Sequence, residues 1–380
     1  MNQQKILLFQ RIVPHYRIPI FEILNRELNI IVCSSPEKKN ATLKSEVFNL
    51  NYPHEIIGRV YFPIGESVVL QNLIRPLFKY RPKIIISEYS PGYLTFWLLF
   101  VIKSFLNIKL IVWSHGIQNE EMQKPFNSFK SKISLFVFRK VDAIILYSNE
   151  RANILGKKID KKKIFVAQNT INTSGLLKLR ENFKRIGKSK IKKELNFTNK
   201  YNLICIGRFL KSKRIDLILA TFFIINKRLD IGLHFIGSGP ETNVIEPYLN
   251  MGTSIYAYGG IIDEETSGKY LYASDILINP GYVGLSIIHG MCFEKPIVTC
   301  NIENSGSFHG PEIEYLIDGY NGLLVSQKPE DISDAIYDLL TNNKKLEELS
   351  KNALHTVVQN CNLGIFTKGF ENAINFVLRI

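Results

Sequence analysis

No disulfide framework, repeat, metal-ligand cluster or membrane-length apolar run marks this 380-residue chain. One apolar stretch, Tyr93 to Ile102, meets Lys103 and then Lys109 well short of the roughly 20 residues a spanning helix needs, which leaves a buried or membrane-touching helix. Five cysteines, Cys33, Cys205, Cys292, Cys300 and Cys361, keep no CxxC spacing. An odd, scattered set fits packing roles in a reduced compartment. No solenoid period and no long Pro/Gly/Ser tract occurs, which argues against repeats and disorder. There is no Asp-x-Asp at a strand end and no His or Cys cluster, so neither a metal nor any other cofactor is expected. Helix-turn-helix, RNA-binding-sheet and zinc-finger signatures are missing too, so no nucleic acid partner is expected. Met1-Asn2-Gln3-Gln4-Lys5 runs directly into Ile6-Leu7-Leu8-Phe9, too short an apolar core for a signal peptide. The expectation is an opening strand and a cytoplasmic protein.

What is present is a hydrophobic fraction of 46% and enough length for two cores. The net charge of +14 comes from 48 basic and 34 acidic residues, and residues 121–200 hold 20 of the former against 6 of the latter. That segment carries the whole imbalance, which suggests an anionic partner. Within it Phe126, Phe129, Ile133, Phe136 and Val137 recur at helical spacing, interleaved with Lys124, Lys130, Lys132, Arg139 and Lys140. The pattern suits a membrane-surface helix or a half-buried helix with a solvated basic face.

β-rich runs alternate with helical stretches: Ile6 to Gln10, Ile30 to Cys33, Ile84 to Ser87, Lys109 to Ser114, Ala143 to Tyr147 and Ile164 to Ala167. The rhythm restarts after a Lys-rich stretch with Asn202 to Ile206, Gly232 to Ile236, Ser254 to Tyr258, Ile276 to Asn279, Pro296 to Thr299 and Gly322 to Val325. Strands separated by crossover helices predict an α/β protein with two parallel, doubly wound sheets. Such sheets bind ligands at the carboxyl ends of their strands, so two of them facing each other predict one interdomain cleft. The expected organisation is a first Rossmann-like domain over 1–171, a basic linker over 172–199, a second Rossmann-like domain over 200–360, and a closing helix over 361–380 that packs back towards the first domain.

The chemistry-bearing residues begin at Gly207-Arg208-Phe209-Leu210-Lys211-Ser212-Lys213-Arg214-Ile215-Asp216, directly after an apolar strand. An Arg, and a Lys five residues later, can converge on a diphosphate from such a turn. The run resembles the GRLxxxKG(x)D segment of glycosyltransferase family 4. Gly237-Ser238-Gly239-Pro240-Glu241 resembles that family's GxGP(E) turn, whose glycines let backbone approach a nucleotide. Tyr258-Gly259-Gly260-Ile261 and Tyr272-Ala273-Ser274-Asp275-Ile276 are similar to its base-gripping loop and following helix. Gly281-Tyr282-Val283-Gly284-Leu285-Ser286-Ile287-Ile288-His289 resembles the family's Glu-x7-Glu helix, with a departure: Gly281 stands at the first Glu and His289 at the second. A His can still bond a ribose hydroxyl or phosphate. His309-Gly310-Pro311-Glu312-Ile313-Glu314, followed by Asp318-Gly319-Tyr320-Asn321-Gly322, resembles the family's "PE…DGxNG" ending; either Glu312 or Glu314 could supply the missing carboxylate. In the first half His15-Tyr16-Arg17 and Phe21 resemble an acceptor-side loop, and Trp113-Ser114-His115-Gly116 looks like the family's "W(G/S)HG". Glu88 ends a strand and points to the same region.

The resemblance implies the GT-B fold, two Rossmann-like domains facing across a cleft, and retaining transfer from a UDP- or GDP-sugar. His115, Arg208, Lys213 and Glu314 would be catalytic. Gly207, Gly237, Gly239, Gly260, Ile261, Gly284, Leu285, Ser286, His289 and Glu312 would hold the donor. His15, Tyr16, Arg17 and Glu88 would lie on the acceptor side. The implied acceptor is an undecaprenyl-diphosphate-linked or other lipid-linked glycan of O-antigen or capsule synthesis, met on the inner face of the cell membrane through residues 121–200. Two rival readings are a GT-B sugar-nucleotide epimerase and a non-catalytic sugar-nucleotide-binding protein, the latter motivated by Gly281 and His289.

Overall fold

The computed structural model describes residues 5–38, 50–62, 68–117, 122, 125–249, 251–301 and 309–379. The chain divides into two compact units, Met1–Asn172 with Leu363–Ile380, and Thr173–Asn362.

In the first unit the strands are β1 (Ile6–Phe9), β2 (Ile30–Ser34), β3 (His54–Ile56), the antiparallel pair β4 (Arg59–Tyr61) and β5 (Val69–Gln71), then β6 (Ile84–Glu88), β7 (Lys109–Ser114), β8 (Ala143–Leu146) and β9 (Ile164–Val166). The helices are α1 (Ile18–Leu28), α2 (Ile74–Tyr80), α3 (Leu94–Ile102), α4 (Phe129–Lys140) and α5 (Asn149–Leu155). The main sheet runs β3-β2-β1-β6-β7-β8-β9, with every pairing parallel. Strand alternation sends Leu7, Phe9, Ile85, Leu110 and Val112 to one face, where Phe96, Leu99, Val137 and Phe138 cover them. Ile6, Leu8, Ile84, Ile86, Ile111 and Trp113 go to the other face, against Phe21, Leu24, Phe366 and Phe370. Such two-sided burial is why these strands read as continuous apolar runs.

The second unit holds α6 (Thr173–Ile186), α7 (Lys188–Glu194), β10 (Tyr201–Ile206), α8 (Ile215–Ile225), β11 (Ile231–Ile236), α9 (Thr242–Ile245), β12 (Ile255–Ala257), α10 (Glu264–Ala273), β13 (Ile276–Ile278), α11 (Ser286–Cys292), β14 (Ile297–Cys300), β15 (Gly322–Val325), α12 (Pro329–Thr341) and α13 (Asn343–Asn360). Its parallel sheet is ordered β12-β11-β10-β13-β14-β15. The remaining helix, α14 (Leu363–Leu378), belongs to the first unit, where Phe366 and Phe370 pack on Trp113. In each sheet the chain steps outward one way and then resumes on the far side of the first strand, at β1/β6 and at β10/β13. Those reversal points are where doubly wound sheets leave a crevice beyond the strand ends.

Residues 172–199 differ from the expected linker. Most of the stretch, residues 173–194, forms α6 and α7 inside the second unit, with Leu176, Phe183 and Ile191 buried. Their basic side chains are partly spent internally: Lys188 pairs with Asp275 at 2.6 Å and Arg180 with Glu294 at 2.9 Å. The expected membrane-surface helix also divides. Phe126 and Val137 lie in the core, Phe129 and Phe136 face solvent, and Lys124 lies outside the described residues. Among the described residues no helix is long and apolar enough to cross a membrane.

Candidate active site

In the second unit the turns after β10, β11 and β12 are joined main chain to main chain. The Gly207 amide donates to the Ile236 carbonyl (2.9 Å), Phe209 to Ser238 (3.0 Å), Glu241 to Phe209 (3.1 Å) and Gly237 to Gly259 (2.7 Å). Gly237 has φ 149°, and a Cβ there would run into the Gly207 carbonyl, so the close approach requires glycine. The Gly239 amide is held by the Thr242 hydroxyl at 3.0 Å, while Gly260 is exposed and Ile261 half-buried in the loop after β12. Phe209 anchors its turn by packing edge-on against Phe235. Arg208, beside that anchor, is turned outward, and its guanidinium has no hydrogen-bond or ion-pair partner among the described residues.

Lys213 closes a single 3-10 turn, Lys211–Lys213, and is buried. Its ammonium donates to the Tyr282 carbonyl at 2.7 Å, and the Tyr282 amide donates back to the Ser212 carbonyl at 2.7 Å. An ammonium has three donors. Burial lowers the Lys213 pKa, against the opposing fields of Cys205 and Glu312. The reciprocal contact brings the backbone at Gly281 so close to Ser212 and Lys213 that a Cβ on Gly281 would collide with both. A carboxylate side chain at this position therefore has no room, which gives a steric reason for the missing Glu.

Glu312 is buried at 3% exposure on the 3-10 turn Pro311–Tyr315, and its carboxylate lies beside the space a Gly310 side chain would fill, next to the Tyr282 hydroxyl. Glu314, two residues on, is half-buried. At three residues per turn the two side chains leave the helix about 120° apart, so they do not share a direction. Of the pair, Glu312 is the one whose field reaches Lys213.

Gly284, Leu285 and Ser286 lead into α11, with the Ser286 hydroxyl oxygen buried and without a hydrogen-bond partner among the described residues. His289 lies half-buried on that helix, its Nδ1 3.3 Å from the Leu285 carbonyl. His309 holds this loop in place. His309 Nδ1 accepts from the Val283 amide at 3.2 Å, and its Nε2 donates to the Cys300 carbonyl at 2.8 Å. That pairing requires a neutral ring, in agreement with a pKa lowered by burial. Its only sequence signal is its place after a strand and before Gly310-Pro311.

In the first unit the strand ends gather His115, Arg17 and Glu88. His115 follows β7, its ring 4.6 Å from that of Tyr147. Desolvation lowers its pKa, followed by the charges of Arg151, Arg17 and Arg11. Arg17 Nη2 donates to the Tyr147 hydroxyl at 3.0 Å. Glu88, expected to face an acceptor, is engaged by Arg11 through the backbone amide (3.2 Å), Nε (2.7 Å) and an Nη2 ion pair. His15 is exposed and Tyr16 half-buried on the 3-10 turn His15–Arg17.

Residues 187–356 match the family model described as Glycosyl transferases group 1. Over 377 residues the chain is 27% identical to the uncharacterised glycosyltransferase MJ1069 of Methanocaldococcus jannaschii, covering 92% of this chain and 91% of that one. Among solved structures, Anabaena Alr3699/HepE in complex with UDP superposes with a TM-score of 0.72 at 14% identity, over 98% of this chain and 99% of the other. Sucrose-phosphate synthase of Thermosynechococcus elongatus gives 0.71 at 17% identity, over 99% of each. The two-sheet architecture is the GT-B fold, and the family match falls within the second unit.

Proposed function

We propose that this chain is a retaining glycosyltransferase that moves a sugar from a UDP- or GDP-linked donor to a lipid-linked oligosaccharide of O-antigen or capsule synthesis, at the cytoplasmic face of the membrane. The observation that carries the reading is the pair of cations at the knitted strand ends: Arg208 without a protein partner among the described residues, and buried Lys213 bonded to one carbonyl. Buried or convergent cations of this kind are stabilised by a bound anion. The departing diphosphate is such an anion, and neutralising it is the main electrostatic task of the reaction. In the proposed step the acceptor oxygen bonds to the anomeric carbon on the face the diphosphate leaves. The carbon–oxygen bond to the diphosphate breaks, and the acceptor proton passes to a phosphate oxygen. Glu312 takes the place of the carboxylate that Gly281 cannot carry, and Ser286 and His289 bond donor hydroxyls. Uracil is favoured as the base because the similar Anabaena structure is named as a UDP complex.

Membrane contact is proposed through α3 and α4. Phe105 and Phe129 are 85% and 78% exposed, Leu98, Val101 and Phe136 are also exposed, and Phe100 meets Phe136 at 6.3 Å, so the apolar face is continuous. Lys130, Lys132, Arg139 and Lys140 surround it, the composition of an interfacial helix on anionic lipid.

The experiment is calorimetry with UDP, GDP, ADP, CMP and dTDP and their common sugar conjugates, with and without a chelator. Binding of one nucleotide unaffected by the chelator supports metal-independent transfer. Binding without turnover on any lipid-linked acceptor would favour a sugar-nucleotide-binding protein or an epimerase, and absence of binding sinks the transferase.

A further inference from the structure

Three guanidinium groups and one carboxylate meet at the strand ends of the first unit. Arg11 follows β1, Arg17 ends the next turn, and Arg151 lies in the first turn of α5, while Glu88 ends β6. Glu88 is taken up by Arg11. Arg151 is buried and donates to the His115 carbonyl at 3.3 Å. Arg17 has no ion pair with any described carboxylate. Its Cζ lies 4.5 Å from the centroid of the buried Trp113 ring, its Nη2 donates to a neutral phenol, and its Nη1 is buried without a hydrogen-bond partner among the described residues. Stacking on an indole and one hydroxyl bond do not neutralise the half-buried guanidinium, and the one carboxylate whose field reaches it, Glu88, is already paired with Arg11.

We propose that this edge is a phosphoryl-binding subsite, with the Arg17 guanidinium as its contact and Arg11 and Arg151 supplying the surrounding positive field. Exposed His115 and the part-exposed Arg11 side chain leave the edge open to a ligand. Arg presents a fork that matches phosphate oxygens bidentately, which a Lys does not. The subsite rests on the transferase reading only for the identity of its ligand, the diphosphate that links the acceptor glycan to its lipid; free inorganic phosphate would offer the same chemistry.

Trp97 and Trp113 are the two tryptophans of the chain, so W97F makes Trp113, under Arg17, the sole indole reporter. Its emission is titrated with inorganic phosphate, pyrophosphate, farnesyl diphosphate and UDP. A saturable change with pyrophosphate and farnesyl diphosphate is expected, weakened tenfold or more by R17Q and less by R17K, which keeps the charge if R17Q folds poorly. Tighter binding of farnesyl diphosphate than of inorganic phosphate assigns the lipid source, and the reverse assigns the free ion. No saturable change, or R17Q titrating like its parent, overturns the subsite. UDP affinity measured by calorimetry is expected to survive R17Q, so loss of the nucleotide reading and loss of this subsite are separate results.

Discussion

Lys213 and Tyr282 hold each other's loops: the ammonium reaches the Tyr282 carbonyl at 2.7 Å, and the Tyr282 amide returns to Ser212, the residue before Lys213, at the same distance. The contact joins two strand-end loops almost seventy residues apart and sets both the charge and the shape of the candidate donor site. Replacing Lys213 by Met keeps the buried stem and removes the charge, so the fold is retained. Turnover is expected to drop about a hundredfold or more, the scale for losing one preorganised charge-stabilising donor, and R208A is expected to act similarly. Near-normal kcat in both variants, with unchanged thermal unfolding, removes the leaving-group assignment.

Gly281 yields the opposite kind of prediction. Restoring the family's carboxylate with G281E should damage the site, because the side chain must displace the Ser212–Lys213 backbone. Overpacking of this sort costs about 1–3 kcal/mol. A lowered Tm and weakened nucleotide binding are expected; a gain of activity would show that the loop opens to accept the carboxylate.

Much of this was legible beforehand, and the gaps have physical causes. Strands buried on both faces, such as β1 and β8, announce themselves as unbroken apolar runs, and the turns at Arg208 and Gly237 directly follow the strands β10 and β11. The 172–199 stretch read as a linker because the buried side of α6, Thr173, Leu176, Arg180 and Phe183, contains only two apolar residues. The steric closure at Gly281 depends on a non-local backbone contact, for which periodicity offers no signal. Glu88 was correctly placed at a strand end, but its engagement by Arg11 spans 77 residues and two elements.

Glu312 and Glu314 are separable by paired substitution. E312Q removes the carboxylate whose field opposes the desolvation of Lys213, so it should push the Lys213 pKa further down and weaken diphosphate binding, most visibly at alkaline pH. E314Q should leave both close to those of the unaltered protein. If E314Q is instead the impaired variant, the first of the two glutamates has been given the wrong role.

The apolar face of α3 and α4 predicts binding to anionic vesicles. Inserting a Phe side chain contributes about 1.5–3 kcal/mol when fully buried, so F129S and F136S should each weaken partitioning by about tenfold or more. The lysines and arginines around them should make binding fall as salt rises. Co-sedimentation with phosphatidylglycerol vesicles measures both effects, and unchanged partitioning in the double variant F129S/F136S excludes this face.

His234 makes a prediction about stability rather than catalysis. It is buried at 1% exposure, stacks on Phe197 at 3.8 Å, and is bonded through Nε2 to Asn202 and through Nδ1 to the Tyr258 hydroxyl. Desolvation, with a smaller contribution from Lys192, lowers its pKa from 6.5 to about 3, and burial lowers that of His309 as well. Both rings are neutral in the folded state, while the unfolded chain takes up a proton on each below about 6.5. Their contribution is therefore present in full above that value and is lost as pH falls towards the folded pKa. Each group adds a slope of about 1.4 kcal/mol per pH unit inside its window. Urea unfolding of the second unit at pH 7.0, 6.0 and 5.0 should show stability falling with pH, and H234Q, whose amide can donate to Asn202 and accept from Tyr258, should flatten the decline by about one proton's worth. An unaltered slope in H234Q would mean that the ring is protonated in the folded protein and that its burial is compensated by a charge not seen at this site.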